Sequence, residues 1–177
     1  GNTPTGRRIL INGSLPPPEY GEDPSLNPIA LITQHTNFLS DLQVDIFLST
    51  HMAVRGKTSS DLLNQTLDFA NQLTGEPIDR NSRMTELSGG QTRALLIADA
   101  TVICDTPIVL LDEVENAGIH RTRAIELLHQ YRKIFIFVTH DPRIALLSDY
   151  RIIMKNGAIT QVIPIDVDEK RLGLMVG

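Results

Sequence analysis

Apolar residues change their spacing several times along the 177-residue chain, and each change marks a new element. From Phe38 to Leu73 they recur at helical intervals, with Leu62, Leu63, Thr66, Leu67 and Ala70 on one face, which predicts two or three helices. A further helix is expected from Ser88 to about Ile103, carried by Leu95, Ile97, Ala98, Val102 and Ile103. Beyond it, Ile108 to Leu111 is a continuous aliphatic strand, Ile119 to Tyr131 a helix, and Ile134 to Val138 a second strand without a polar residue. Such runs are the pattern of parallel strands covered on both faces. Upstream, Arg8 to Ile11 predicts a short strand closed by Asn12-Gly13, a proline-rich loop spans Leu15 to Pro28, and Ile29 to Thr33 predicts another strand. Near the end, Arg151 to Met154 and Ile159 to Ile163 flank Asn156-Gly157, a pair that favours a tight hairpin turn. The alternation predicts an α/β layered core, with strands within 1–37 and 104–165 and a helical insertion over about 38–90 that runs into the helix at 88–103.

Composition narrows the function classes. Hydrophobic residues make up 41% and charged residues 21%, which suits one globular domain with a real core. A net charge of −5 gives no overall attraction to nucleic acid, so no nucleic-acid partner is expected. Cys104 is the single cysteine, which excludes a disulfide framework or a cysteine metal site within the chain and fits a reducing compartment. No aliphatic run approaches the roughly 20 residues of a membrane span, so any contact with membrane is expected to go through a partner. Gly1 reads as a remnant of tag removal, and the chain as a piece cut from a longer protein.

In a parallel sheet, ligands gather where strands end at their carboxyl termini. Ile108 to Leu111 stops at Asp112-Glu113, Ile134 to Val138 at Thr139-His140-Asp141, and Ile29 to Thr33 at Gln34. Two adjacent carboxylates can divide two tasks, one holding Mg²⁺ through its water shell and one orienting a water. Equally, such a pair can simply open a solvated loop. Leu87-Ser88-Gly89-Gly90-Gln91 is locally an S-x-x-Q capping box. Two glycines there cost helix stability of about 1 kcal/mol each relative to Ala, so something besides capping should require them. Bare N–H groups at a helix N-terminus accept phosphate oxygens closely.

Taken in order, Leu87-Ser88-Gly89-Gly90-Gln91, Ile108 to Glu113 and Val138-Thr139-His140-Asp141 resemble the signature motif, Walker B strand and switch histidine of ABC (ATP-binding cassette) ATPases. Gln34 is similar to that family's Q-loop glutamine, and Asp149 to Gly157 to the strand and hairpin that follow the histidine. The likeness runs over nearly the whole chain. It implies an α/β, P-loop NTPase-like, mainly parallel sheet flanked by helices, with an inserted α-helical subdomain. It also implies ATP and Mg²⁺ as cofactors. Glu113 would then be the general base or water-orienting group, Asp112 a carboxylate holding Mg²⁺ through its water shell, Gln34 a Mg²⁺ and water ligand, and His140 a hydrogen-bond partner of the γ-phosphate. Ser88, Gly89 and Gly90, with Gln91 completing the motif, would contact ATP held on a second ABC domain paired head to tail.

The chain also departs from the family pattern. No window matches G-x-x-x-x-G-K-[ST], the Walker A loop that cradles phosphates, so the resemblance implies a domain truncated at its N-terminus that binds ATP poorly alone. Val114 stands where a proline is usual. His120, read as an exposed loop side chain, replaces a common aspartate. Arg93 sits two residues past the signature glutamine rather than three, and Asp99 occupies a position that is often arginine. His35, His51 and His129 carry no functional reading. The expected function is the nucleotide-binding, ATP-hydrolysing part of an ABC transporter, cytoplasmic and held at the membrane by a transmembrane permease. The alternatives are a soluble ABC ATPase acting on ribosomes or DNA, and a non-catalytic subunit supplying only the signature face.

Overall fold

The computed structural model describes residues 8–23, 26–33, 35–36, 41–113, 119 and 121–175. Three strands, β1 (Ile29–Ile32), β2 (Ile108–Asp112) and β3 (Ile134–Val138), pair side by side in parallel. Their register sets Ile32 against Leu111 and Leu111 against Phe137, so all three strands finish at one rim. Because side chains alternate across a sheet, this register gathers Ala30 and Ile32, Val109 and Leu111, and Phe135 and Phe137 on one face. Val109 and Leu111 are fully enclosed there.

That face shares one buried apolar cluster with several helices. In α2 (Val44–Val54) the buried residues are Val44, Leu48 and Met52, spaced four apart. In α3 (Ser60–Leu73) they are Leu63, Thr66, Phe69, Ala70 and Leu73, a three-and-four alternation that draws one stripe on a helix. The Thr66 hydroxyl, buried within that stripe, donates to Leu62 O at 2.7 Å and so is satisfied. α4 (Gly89–Ala98) buries Ala94, Leu95, Ile97 and Ala98, and passes directly into a π turn, Asp99–Ile103. A smaller cluster joins Phe137 to Ile125 of α5 (Arg121–Leu128) and to Ile144 and Leu147 of α6 (Pro142–Leu147).

The opposite face of the sheet departs from expectation. Ile134, Ile136 and Val138 are 60%, 37% and 56% exposed, and Leu31 is 58% exposed, so among the described residues these strands are covered on one face only. Their polar-free sequence reflects a need for cover that the described residues do not meet. Arg8 to Ile11 also differs: among the described residues Ile11 makes only an isolated bridge to Ser14 around the Asn12-Gly13 turn, and no neighbouring strand extends it. The proline-rich loop contains one short helical turn, α1 (Glu19–Glu22). The expected helix from Ile119 begins at Arg121, and the one from Ser88 changes from α to π geometry at Asp99.

β4 (Tyr150–Lys155) and β5 (Ala158–Pro164) form the expected hairpin, with Asn156 and Gly157 both at positive φ (52° and 76°). The last helix, α7 (Val167–Met175), is tied back to this hairpin region by Arg151–Glu169 and Lys170–Asp149 ion pairs, each 2.6 Å. Its Gly173 lies so close to α6 that an added Cβ would meet Leu146 Cβ at 3.0 Å.

Two lysines close the π turn. Lys57 donates to Ile103 O at 2.6 Å and to Asp105 at 2.8 Å, while Lys133 donates to Ala100 O at 2.8 Å and to Cys104 O. Carbonyls at a helix end lack partners of their own and carry negative partial charge, so ammonium groups there are both electrostatically and sterically apt. Burial holds the Lys133 amine below its ordinary value. Lys133→Met should therefore leave carbonyls orphaned and lower stability by about 1–3 kcal/mol, read from the denaturant midpoint. Hydrogen bonds from Lys57 and Lys170 hold the carboxyls of Asp105 and Asp149, respectively, below the usual carboxylate range. A carboxyl whose folded pKa is depressed contributes stability above its unfolded value and loses it as pH falls through the folded one. Acid titration of the Lys57→Gln, Lys170→Gln double variant should show a shallower loss of stability below about pH 4 than the parent chain.

Candidate functional site

β2 and β3 deliver the acidic pair and the histidine to the same rim. Asp112 is the last residue of β2 and pairs with Val138, the last of β3, which puts the residues just beyond each strand side by side. The ladder then continues for one step, because Glu113 N donates to Val138 O at 3.0 Å. Glu113 adopts φ +50°, a left-handed conformation unusual for a residue other than Gly, Asn or Asp. That conformation costs on the order of 1 kcal/mol or more and recurs at functional sites. Its carboxylate Oε1 lies 4.0 Å from His140 Nδ1, with the two side chains 41% and 71% exposed. A carboxylate and an imidazole thus stand close together and open to solvent.

The residues on either side of His140 explain its placement. The Asp141 backbone N–H donates to Thr139 Oγ1 at 2.9 Å, and Asp141 Oδ1 accepts from Arg143 N at 2.9 Å, capping α6. The Arg143 guanidinium closes on the same carboxylate at 3.2 and 3.1 Å. Asp141 is buried, so it serves as the structural member of this triplet, while His140 is carried outward between two fixed points. In the sequence Asp141 reads only as part of the Val138-Thr139-His140-Asp141 motif. Asp followed by Pro at a helix start is itself a capping signal that could have assigned it.

β1 leaves the sheet at the same rim, since Ile32 pairs with Leu111, one residue short of Asp112. A turn follows in which Thr33 N donates to Thr36 Oγ1 at 2.9 Å and Thr36 N to Thr33 O at 3.1 Å. Gln34 lies outside the described residues, as do Val114 and His120.

Ser88 to Gln91 form a second locus with other partners. Ser88 N donates to Gln91 Oε1 at 2.9 Å and Gln91 N to Ser88 Oγ at 3.3 Å, the reciprocal box expected. Gln91 Nε2 donates to Pro77 O at 3.1 Å, tying the tip to the loop after α3. Ser88 and Gly89 are exposed and Gly90 half-buried, so the helix tip faces outward rather than into the core. An added Cβ at Gly89 would meet nothing within 4 Å. The fold therefore imposes no steric demand for glycine at that position.

The chain is 46% identical over 172 residues to the uncharacterized ABC transporter ATP-binding protein MJ0121 of Methanocaldococcus jannaschii, covering 97% of this chain and 66% of that protein. It is 34% identical over 83 residues to the lipoprotein-releasing system ATP-binding protein LolD of Treponema pallidum, covering 44% of this chain and 36% of that one. A solved dimeric structure of a post-hydrolysis state of the ATP-binding cassette MJ0796, bound to ADP and Pi, superposes with a TM-score of 0.67 at 21% identity, over 90% of this chain and 72% of that one. No protein-family model matches. The fold is that of the solved ATP-binding cassette structures. It belongs to the family of ABC transporter ATP-binding proteins, and it spans a little under two thirds of the length of its M. jannaschii relative.

Ser88→Ala should remove the cap and cost about 1 kcal/mol of stability. Gly89→Ala should leave the thermal midpoint unchanged or slightly raised, since Ala is up to about 1 kcal/mol the better helix former. Differential scanning of the two variants beside the parent chain checks both signs.

Proposed function

We propose that the intact protein is the ATP-hydrolysing subunit or domain of an ABC transporter, in which Glu113 orients and deprotonates the attacking water. The observation that carries this reading is the Glu113–His140 pair, set 4.0 Å apart beside Asp112 at the rim where the strands end. Bound Mg²⁺-ATP would supply the transferable phosphoryl group and the metal charge. Asp112, at the end of β2, has the position and charge to hold the metal's water shell. His140, projecting from its pinned turn, can donate to a phosphate oxygen. Gln34 would complete this set as a metal and water ligand.

The Ser88-Gly89-Gly90 tip supports a role in trans, because Ser88 and Gly89 are exposed, the tip is held in helical geometry and Gly89 is free of steric need for glycine. It would meet nucleotide on a second ABC domain in a head-to-tail pair. The dimeric state named for the solved MJ0796 structure agrees with this arrangement. Relatives named for lipoprotein release and for spermidine/putrescine import support coupling to a membrane permease, which would hold the protein at the cytoplasmic side. Among the described residues no helix is long and apolar enough to cross a membrane. In this reading α2 and α3 belong to the helical subdomain that leads into α4.

Glu113→Gln in the intact ATPase should abolish phosphate release while preserving ATP-dependent pairing, measured by a colorimetric phosphate assay and light scattering. Turnover at the parental rate would disprove the assignment. His140→Ala should lower kcat by roughly 10²- to 10³-fold, the usual cost of removing one donor to developing charge.

A further inference from the structure

The π turn after α4 creates a side-chain cluster away from the rim. Cys104 N donates to Asp99 O at 2.9 Å, the i to i+5 bond that widens the turn. In an α-helix, residues five apart point about 140° away from each other. The wider turn brings them together, and Cys104 Sγ sits 3.9 Å from Asp99 Oδ2. From α2, His51 Nδ1 reaches Asp99 Oδ1 at 2.6 Å. The three donor atoms all lie within 4.8 Å of one another. Asp99 and Cys104 are buried, and the His51 side chain is 27% exposed, which leaves one approach from solvent. Single-turn π insertions of this kind occur often at functional sites.

We propose that His51 Nδ1, the Asp99 carboxylate and Cys104 Sγ form a three-ligand site for a borderline divalent cation, with Zn²⁺ the best match. A sulfur, an imidazole nitrogen and a carboxylate oxygen suit zinc, whereas Mg²⁺ and Ca²⁺ require oxygen shells. Metal–ligand distances of about 2.0–2.3 Å place tetrahedral ligands roughly 3.3–3.7 Å apart. The Asp99–Cys104 spacing is already near that, and the His51–Asp99 contact must open by less than about 1 Å. Water fills the fourth position.

A bound divalent cation deprotonates a coordinating thiol outright. One proton then leaves Cys104 for solvent, and two anionic ligands with one dication make a neutral buried site. At His51, Arg55 Nε donates to Nε2 at 3.1 Å, which fixes the metal-free ring with its proton on Nδ1. Coordination through Nδ1 moves that proton to Nε2 and displaces Arg55, a half-buried side chain at the end of α2. Arg55 is thus the built-in competitor. The other nearby cations, Lys57 and Lys133, are engaged with carbonyls of the π turn and with Asp105. The Thr106 hydroxyl bonds to Cys104. The lone Cys104 had argued against a cysteine metal site; the fold supplies the missing partners from a histidine and an aspartate instead.

Titrating the metal-free 177-residue chain with Co²⁺ as a spectroscopic stand-in should give one equivalent with a thiolate-to-cobalt absorption band, displaced by Zn²⁺. Cys104→Ser should remove the band and weaken Zn²⁺ binding by more than the roughly 10- to 100-fold that an outer-shell partner costs. Arg55→Ala keeps all three ligands and should tighten binding. Absence of the band in the parent chain overturns the proposal. So does stoichiometric binding that persists unchanged in folded Cys104→Ser, or a failure of Arg55→Ala to tighten binding.

Discussion

The parallel register of three short strands is the constraint on which the rest of the molecule depends. Setting Ile32, Leu111 and Phe137 in one row fixes which face is enclosed by helices and which residues emerge together at the rim. A slip of one residue would exchange the two faces of a strand. Val109 and Leu111 would then leave the core, and Asp112 would lose its place opposite Val138. Fold and candidate site are therefore specified by the same hydrogen-bond ladder.

Much of that was legible beforehand, for reasons that vary by element. β2 and β3 announce themselves as aliphatic runs that end in polar residues, and both ends proved adjacent. The hairpin turn follows from Asn156 and Gly157, which tolerate positive φ at small cost. The capping box at Ser88 and Gln91 was readable because its geometry needs only four consecutive residues. Arg8 to Ile11 failed as a strand because alternation and composition do not say whether a partner exists. Ile134 to Val138 is covered on one face only among the described residues, because an aliphatic run encodes a need for cover without saying what supplies it.

The π turn was invisible for a different reason. Helical periodicity from Leu95 to Ile103 continues across it, and a single extra residue per turn shifts the apolar pattern too little to detect. Yet that residue decides which polar groups meet, since it brings Asp99 and Cys104 to one side and within reach of His51 from a helix nearly fifty positions earlier. Contacts between distant segments are where single-sequence reasoning loses sight of chemistry. Lys57 and Lys133 illustrate the same gap, because nothing local marks either as a cap for carbonyls on another element.

The backbone at Glu113 limits how that residue can be interrogated. Glycine there would relax the main chain while deleting the carboxylate, and valine would crowd it while doing the same, so each mixes two effects of opposite or equal sign. Glutamine keeps the shape and the torsional cost and changes only charge. At this one position the amide isostere isolates chemistry from conformation, and a broader substitution series would chiefly rank how well each side chain endures a left-handed bend.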